Sequence, residues 1–187
     1  MINIEVKQGS AIEEDVDAVV NSANNWLILG SGIAGEIREN GGVRIQAECD
    51  RIIADNGGPV DIGSAVSTSA GLLSDKNTNL KYIIHAVGMG YKTKEDNGLQ
   101  DRILATPETV FEAVKNALKV AEEMNIRTIA FPLMCSRQGY NTLDIKEGPS
   151  IMLKTMLRAI NSYRTVSDSI TKITICTGTL SISPDSV

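Results

Sequence analysis

Apolar residues recur along this chain in two alternating rhythms, one of period two and one of period three to four. Ile2 to Lys7 alternates apolar with polar positions, as a half-exposed strand does. Ala18 to Val20 is a short apolar run rich in β-branched residues and predicts a buried strand that extends a residue or two each way. Gly35 to Asn40 and Val43 to Asn56 then follow helical spacing, the second with Ile45, Cys49, Ile52 and Ile53 on one face. Small and β-branched residues return in 'GSAVSTSAGLL' (Gly63 to Leu73), and 'KYIIHAVG' (Lys81 to Gly88) is almost wholly apolar; both predict strands. A polar, exposed loop is expected from Tyr91 to Ala105. Thr106, Pro107 and Glu108 supply an N-cap, a first-turn proline and a first-turn acid for a helix whose stripe is Val110, Phe111, Val114, Leu118 and Ala121. A strand from Arg127 to Leu133, a helix marked by Met152, Leu153, Met156, Leu157 and Ile160, and a last strand from Ile170 to Gly178 complete the pattern.

Strands separated by helices imply crossover connections and a mixed, mostly parallel sheet covered on both faces, an α/β class protein. Ligands of such sheets sit at the carboxyl ends of the strands. Three chemically unusual segments are expected just after strands: 'NSANN', 'HAVGMG' and 'PLMCSRQGYN'. Their common position makes one shared site the natural reading.

Bulk properties narrow the classes. The 187 residues are long enough for one domain with a sizeable core, taken here as residues 1–187. A content of 42% hydrophobic and 22% charged residues is that of an ordinary water-soluble globular chain. No apolar run reaches the ~20 residues that span a bilayer, and 'MINIEVKQGS' lacks the pattern of a signal peptide, so no membrane partner and a cytoplasmic location are expected. A net charge of −5 disfavours duplex nucleic acid as partner. It leaves room for a small anion held by backbone amides. Cys49, Cys135 and Cys176 are dispersed and odd in number, and His85 is the single histidine, so neither a disulfide framework nor a metal site is expected, and no cofactor is assigned.

The stretch 'LGSGIAGEI' sets Gly30, Gly32 and Gly35 against the start of a helix. Glycine removes the Cβ that would obstruct a phosphate, and a helix start offers unpaired N–H groups. 'GSGIAG' fits G-x-G-x-x-G formally, but Asp50 and Asp55 lie in a predicted helix where a dinucleotide site needs an acid on a strand. On the residues alone the loop is either a structural turn or a phosphate cradle. Asn21, Asn24 and Asn25 stand open in the same way: their amides suit sugar hydroxyls, or they tie the turn together.

The run 'VDAVVNSAN' followed by 'GSGIAGEI' resembles the macrodomain pattern D-A-[IV]-V-N-A-A-N followed by G-G-G-V-A-x-x-I. 'GSAVSTSAGLL' is similar to the family's G-x-A-x-x-T-x-x-x-L, 'KYIIHAVGM' to K-x-[IV]-x-H-x-V-G-P, and 'RTIAFPL' to S-I-A-F-P-A. The motifs keep the family's order over about Asn3 to Tyr140. The resemblance implies a three-layer α/β/α sandwich that binds ADP-ribose or a related nucleotide in a cleft above the strand ends. It implies that Asn24 contacts the distal ribose and, in a hydrolase, positions the attacking water. Gly30, Ser31, Gly32, Ile33 and Ala34 would wall the diphosphate, and Asn21 would brace the loop.

Departures from the family pattern qualify that expectation. Ser10, followed by Ala11, stands where family members carry the aspartate that grips the adenine amino group. In the second phosphate loop, which runs on through Ser136, Gln138, Gly139 and Tyr140, Cys135 replaces the family's serine and Arg137 its key glycine, and Tyr140 matches the aromatic with one extra residue in the loop; Arg137 either pairs with phosphate or blocks the cleft. Ala34 occupies the position of the aspartate that several macrodomain hydrolases use to activate water. His85 reads as a satisfied strand histidine and Cys135 as a buried thiol, against the alternatives of general base and nucleophile. The leading expectation is a reader or weak hydrolase of ADP-ribosyl, O-acyl or phosphate-monoester derivatives of ADP-ribose, with ADP-ribosylated protein as a partner. The alternative is a diverged macrodomain that binds another nucleotide, RNA or a protein without catalysis.

Overall fold

A computed structural model describes residues 2–94, 101–137, 140–163 and 169–182. Among the described residues, seven strands form one sheet: β1 (Asn3–Lys7), β2 (Ala18–Asn24), β3 (Ala65–Ser69), β4 (Tyr82–Tyr91), β5 (Arg102–Ile103), β6 (Thr128–Pro132) and β7 (Lys172–Cys176). Their order is β1-β7-β6-β2-β4-β3, with β5 on the end of β4. β1, β7, β6, β2 and β4 run parallel to their neighbours, whereas β3 and β5 are antiparallel to β4. The expected mixed, mostly parallel sheet is present.

Alternation along the central strands builds two cores. Ala18, Val20, Ile84, Ala86, Ile129 and Phe131 face α4 (Pro107–Glu123) and α5 (Gly148–Tyr163). Val19, Ile83, Val87 and Ala130 face α1 (Ile33–Gly41) and α2 (Val43–Asn56), which contribute Ile37, Ile45, Cys49 and Ile53. These apolar side chains are almost wholly buried, so helices cover both faces of the sheet as a parallel arrangement demands. α4 starts as its sequence directs: Thr106 Oγ1 accepts from Thr109 N at 3.2 Å and Thr109 Oγ1 accepts from Thr106 N at 3.0 Å.

Several boundaries differ from expectation. β2 continues through Asn24, so 'NSAN' is the end of the strand rather than a loop, because pairing with β4 supplies its backbone partners. 'HAVGMG' likewise lies inside β4. α1 begins at Ile33, two residues before Gly35. The strand expected from Gly63 to Leu73 is confined to Ala65–Ser69. It stops because Gly71 adopts φ +55, where an added Cβ would lie 2.3 Å from the Gly41 carbonyl oxygen, and the chain turns into α3 (Leu73–Lys76). The loop expected from Tyr91 to Ala105 is shorter: Tyr91 ends β4, and Arg102 and Ile103 pair with Tyr91 and Gly90. Residues 95–100 of that loop lie outside the described residues.

Candidate functional site

At the carboxyl ends of β1, β7, β6 and β2 the chain opens a cleft of about 620 Å3, within the size range of small-molecule sites. Segments that the sequence singled out supply part of its lining, and Tyr91, Arg102 and residues 176–180 complete it. Ser10 and Ala11 follow β1; Asn24 ends β2; Gly30, Ser31, Gly32, Ile33 and Ala34 lead into α1. Ser136, Arg137 and Tyr140 belong to the segment after β6 and line the same cleft. Gln138 and Gly139 lie outside the described residues.

The glycine loop is shaped by two local constraints. Gly32 takes φ +63 as the N-cap of α1, a conformation that costs an L-residue about 1 kcal/mol or more. Gly35 packs on the loop itself, since an added Cβ would stand 3.0 Å from the Gly30 carbonyl oxygen. Gly30 has open space where its side chain would be. So the loop is a turn and a ligand-accessible surface at once: two glycines serve its path, and one leaves its backbone uncovered. Glu36 N donates to Gly32 O at 3.0 Å as the first helical bond, which leaves the N–H groups of Ile33, Ala34 and Gly35 in the first turn without intrahelical acceptors. Arg137 reaches this turn from the opposite wall: a Cβ on Gly32 would stand 4.0 Å from Arg137 Nη1. Arg137 therefore lines the cleft while about 620 Å3 stays open.

The two walls also meet at Ser31 Oγ and Tyr140 Oη, 3.3 Å apart. Arg102 lies over the Tyr140 ring, its Cζ 4.6 Å from the centroid. The segment after β6 is held by Asn141, whose Nδ2 donates to Cys135 O at 2.6 Å and to Arg137 O at 3.3 Å. Cys135 itself has φ +50 and sits against β4 where Gly88 leaves room: a Cβ there would lie 2.7 Å from Cys135 Sγ. Burial pushes the Cys135 thiol up to about 11, with a smaller opposing pull from Ser22, so it stays protonated and non-nucleophilic near neutrality.

Asn24 is committed to its own turn. Its Oδ1 accepts from Trp26 N at 3.1 Å and Ile28 N at 3.2 Å, and its Nδ2 donates to Ile28 O at 2.9 Å. It also lines the cleft, so turn and cleft are served by one side chain. Asn21, expected to brace the loop, instead points into the core, where Nδ2 donates to His85 Nδ1 at 3.1 Å. That bond places the proton on His85 Nε2, which donates to Thr68 Oγ1 at 3.0 Å. His85 is fully buried between β2, β3 and α2, and burial pushes its pKa down to about 4, with Glu48 pulling weakly the other way. It is a structural histidine, away from the cleft.

Ser10 is not a lone hydroxyl at its end of the cleft. Its Oγ donates to Glu36 Oε2 from the first turn of α1, and Glu36 is the only acidic residue among the described ones that line the cleft. Arg38, Arg102 and Arg137 also line it. No motif marks Glu36, Arg38 or Arg102, whose positions come from a helix face and a two-residue strand.

The family model described as Macro domain matches residues 20–148. The chain belongs to the macro domain family. A macro domain-containing protein of Caldanaerobacter subterraneus subsp. tengcongensis is 40% identical over 129 residues, 69% of this chain. The match spans 66% of that protein's length, and only 19% of a Thermotoga maritima relative that is also 40% identical. Among solved structures, a point mutant of the Oceanobacillus iheyensis macrodomain with ADPR superposes with a TM-score of 0.69 at 24% identity, covering 93% of this chain and 85% of that one. The same macrodomain with ADP gives 0.67 at 23% identity, covering 96% and 83%. At these identities the likeness is one of fold, and it makes this macrodomain a three-layer α/β/α sandwich.

Proposed function

We propose that this macrodomain binds ADP-ribose or a close derivative in the cleft, and that it acts as a reader of ADP-ribosyl groups, free or on protein, with any hydrolysis slow. One observation carries the reading: the Arg137 guanidinium comes up to the uncapped first turn of α1, its Nη1 4.0 Å from where a Cβ on Gly32 would stand, and both line the cleft. Free amides and a guanidinium that meet at one edge of the cleft form an anion site that a pyrophosphate lying in the cleft can engage together. The solved macrodomains with ADPR and with ADP, alike in fold, support this choice of ligand. Asn24 stands at the sugar end; one Nδ2 proton holds Ile28 O, and the other serves a ribose hydroxyl.

Slow turnover follows from the side chains on hand. Ala34 brings no carboxylate to the glycine loop, and the Cys135 thiol is protonated. Glu36 holds Ser10 at the β1 end of the cleft. Asn24 can orient a water but cannot take its proton.

The test is calorimetry with ADP-ribose, AMP and a short single-stranded RNA, followed by product release from an ADP-ribosylated protein and from an ADP-ribose phosphate monoester. ADP-ribose should bind tightest, and product should form slowly or not at all. RNA binding without ADP-ribose binding would replace this reading by a diverged nucleic-acid binder. Arg137→Ala should weaken ADP-ribose about tenfold, the order expected for one charge-assisted contact. A gain in affinity would show instead that Arg137 obstructs the cleft.

A further inference from the structure

The cleft is divided by charge. Arg137 meets the start of α1 at Gly32, while the Glu36 side chain leaves the same turn toward Ser10, after β1. At the other end β1 and β7 close on each other, with Gly9 N donating to Gly178 O at 3.0 Å and Gly178 N to Gly9 O at 3.1 Å. Here the lining includes Ser10, Ala11, Glu36 and, from the segment after β7, Leu180, a large apolar side chain left 39% exposed. Phosphate is repelled by the Glu36 carboxylate. A flat heteroaromatic ring suits this end: Leu180 offers it an apolar contact, and the carboxylate offers its edge hydrogen-bond acceptors.

The Ser10 bond fixes what that edge must be. Ser10 gives its proton to Glu36 Oε2, so the pair presents carboxylate lone pairs to the cleft. A carboxylate has about four such sites, and Ser10 occupies one. Arg38 does not neutralise the pair from its own helix, because its Nη1 is turned to the Leu29 carbonyl at 3.0 Å. We infer that Glu36, held by Ser10, is the specificity-determining residue for the base, and that it selects a base whose edge carries an exocyclic amine over one carrying a carbonyl there. An amine donates to the carboxylate, whereas a carbonyl sets two acceptors against each other. The acceptor thus comes from helix α1, and Ser10 orients it.

This inference rests on the nucleotide reading of the cleft, and calorimetry on the full chain separates the two. The probes are ADP-ribose and its hypoxanthine counterpart, which differ at the amino group and the adjoining ring nitrogen. The native protein should prefer ADP-ribose by about tenfold, the order of one charge-assisted hydrogen bond. Glu36→Gln, which can donate as well as accept, should bring the ratio close to one by weakening ADP-ribose and strengthening the hypoxanthine form. Ser10→Ala should keep the preference, since the carboxylate remains. Equal binding of both probes by the native protein, or an unchanged ratio in Glu36→Gln, overturns the inference while leaving the cleft's ligand class standing. Loss of the preference in Ser10→Ala but not in Glu36→Gln assigns selection to the hydroxyl and overturns it too. If neither probe binds the native protein, the nucleotide reading falls and takes this inference with it.

Discussion

At the scale of single residues, the cleft and the core divide the polar side chains between them. Asn21, His85 and Thr68 are joined by hydrogen bonds inside the sheet rather than at the cleft. Their consequence is for stability. The His85 pKa is pushed from 6.5 down to about 4 by burial, so the folded protein disfavours the imidazolium that the unfolded chain accepts. The stabilising contribution is whole above pH 6.5, shrinks as pH falls through the window down to about 4, and is gone below it. Its size is about 3 kcal/mol. Urea unfolding at pH 7 and pH 4.5 should show this loss, and a His85→Gln variant, though weaker at pH 7, should lose less between the two. Asn24 has a stability role as well. Asn24→Ala removes the three hydrogen bonds that hold Trp26 and Ile28, which should cost about 1–3 kcal/mol. Binding loss in that variant is therefore to be judged on protein shown to be folded, by circular dichroism at the temperature of the assay.

At the scale of elements, the strand β4 and the segment after β6 are fitted to each other. Gly88 receives Cys135, with Met134 Cε and Val110 Cγ2 at 3.6 and 3.7 Å from the position of an added Cβ. Gly88→Ala should destabilise by about 1–3 kcal/mol through overpacking. It should also weaken ligand by displacing the segment that carries Arg137. Cys135→Ala in the same chain should recover much of the loss, and a double-mutant cycle read by chemical denaturation measures that coupling. This fit also marks what was legible in the sequence. α4 could be placed from Thr106 and Pro107, because a cap is a local event. The helix stripes and the central strands could be placed from periodicity. The extension of β2 through Asn24 could not, since Asn and Ser disfavour strands and only pairing with β4 holds them there. β5 was hidden for the same reason: two residues, Arg102 and Ile103, are extended because Tyr91 and Gly90 lie beside them. At the site, the glycine loop, Asn24 and Arg137 stood out by motif. Glu36 did not, because its meeting with Ser10 joins two elements 26 positions apart and follows from how α1 docks on the sheet.

At the scale of the whole molecule, the cleft sits where strands from the centre and one edge of the sheet end, so a ligand there touches several elements at once. β1, β2, β6, β7 and α1 each border it directly or through the segment that follows them. Binding should therefore stabilise the fold as a unit. A ligand that favours the native state at a hundredfold excess over its Kd adds about 2.7 kcal/mol, which for a domain of this size raises Tm by roughly 5–10 °C. The shift with ADP-ribose is to be measured at pH 7.5, above the window in which His85 changes stability. Raising ionic strength should reduce the shift, since the pyrophosphate is held partly by guanidinium groups at an open cleft. Glucose at the same concentration should give none, because it brings no anion for Arg137 or the first turn of α1. A Tm that ADP-ribose leaves unchanged even at millimolar concentration would show that this cleft is not its site, whatever the resemblance of the fold.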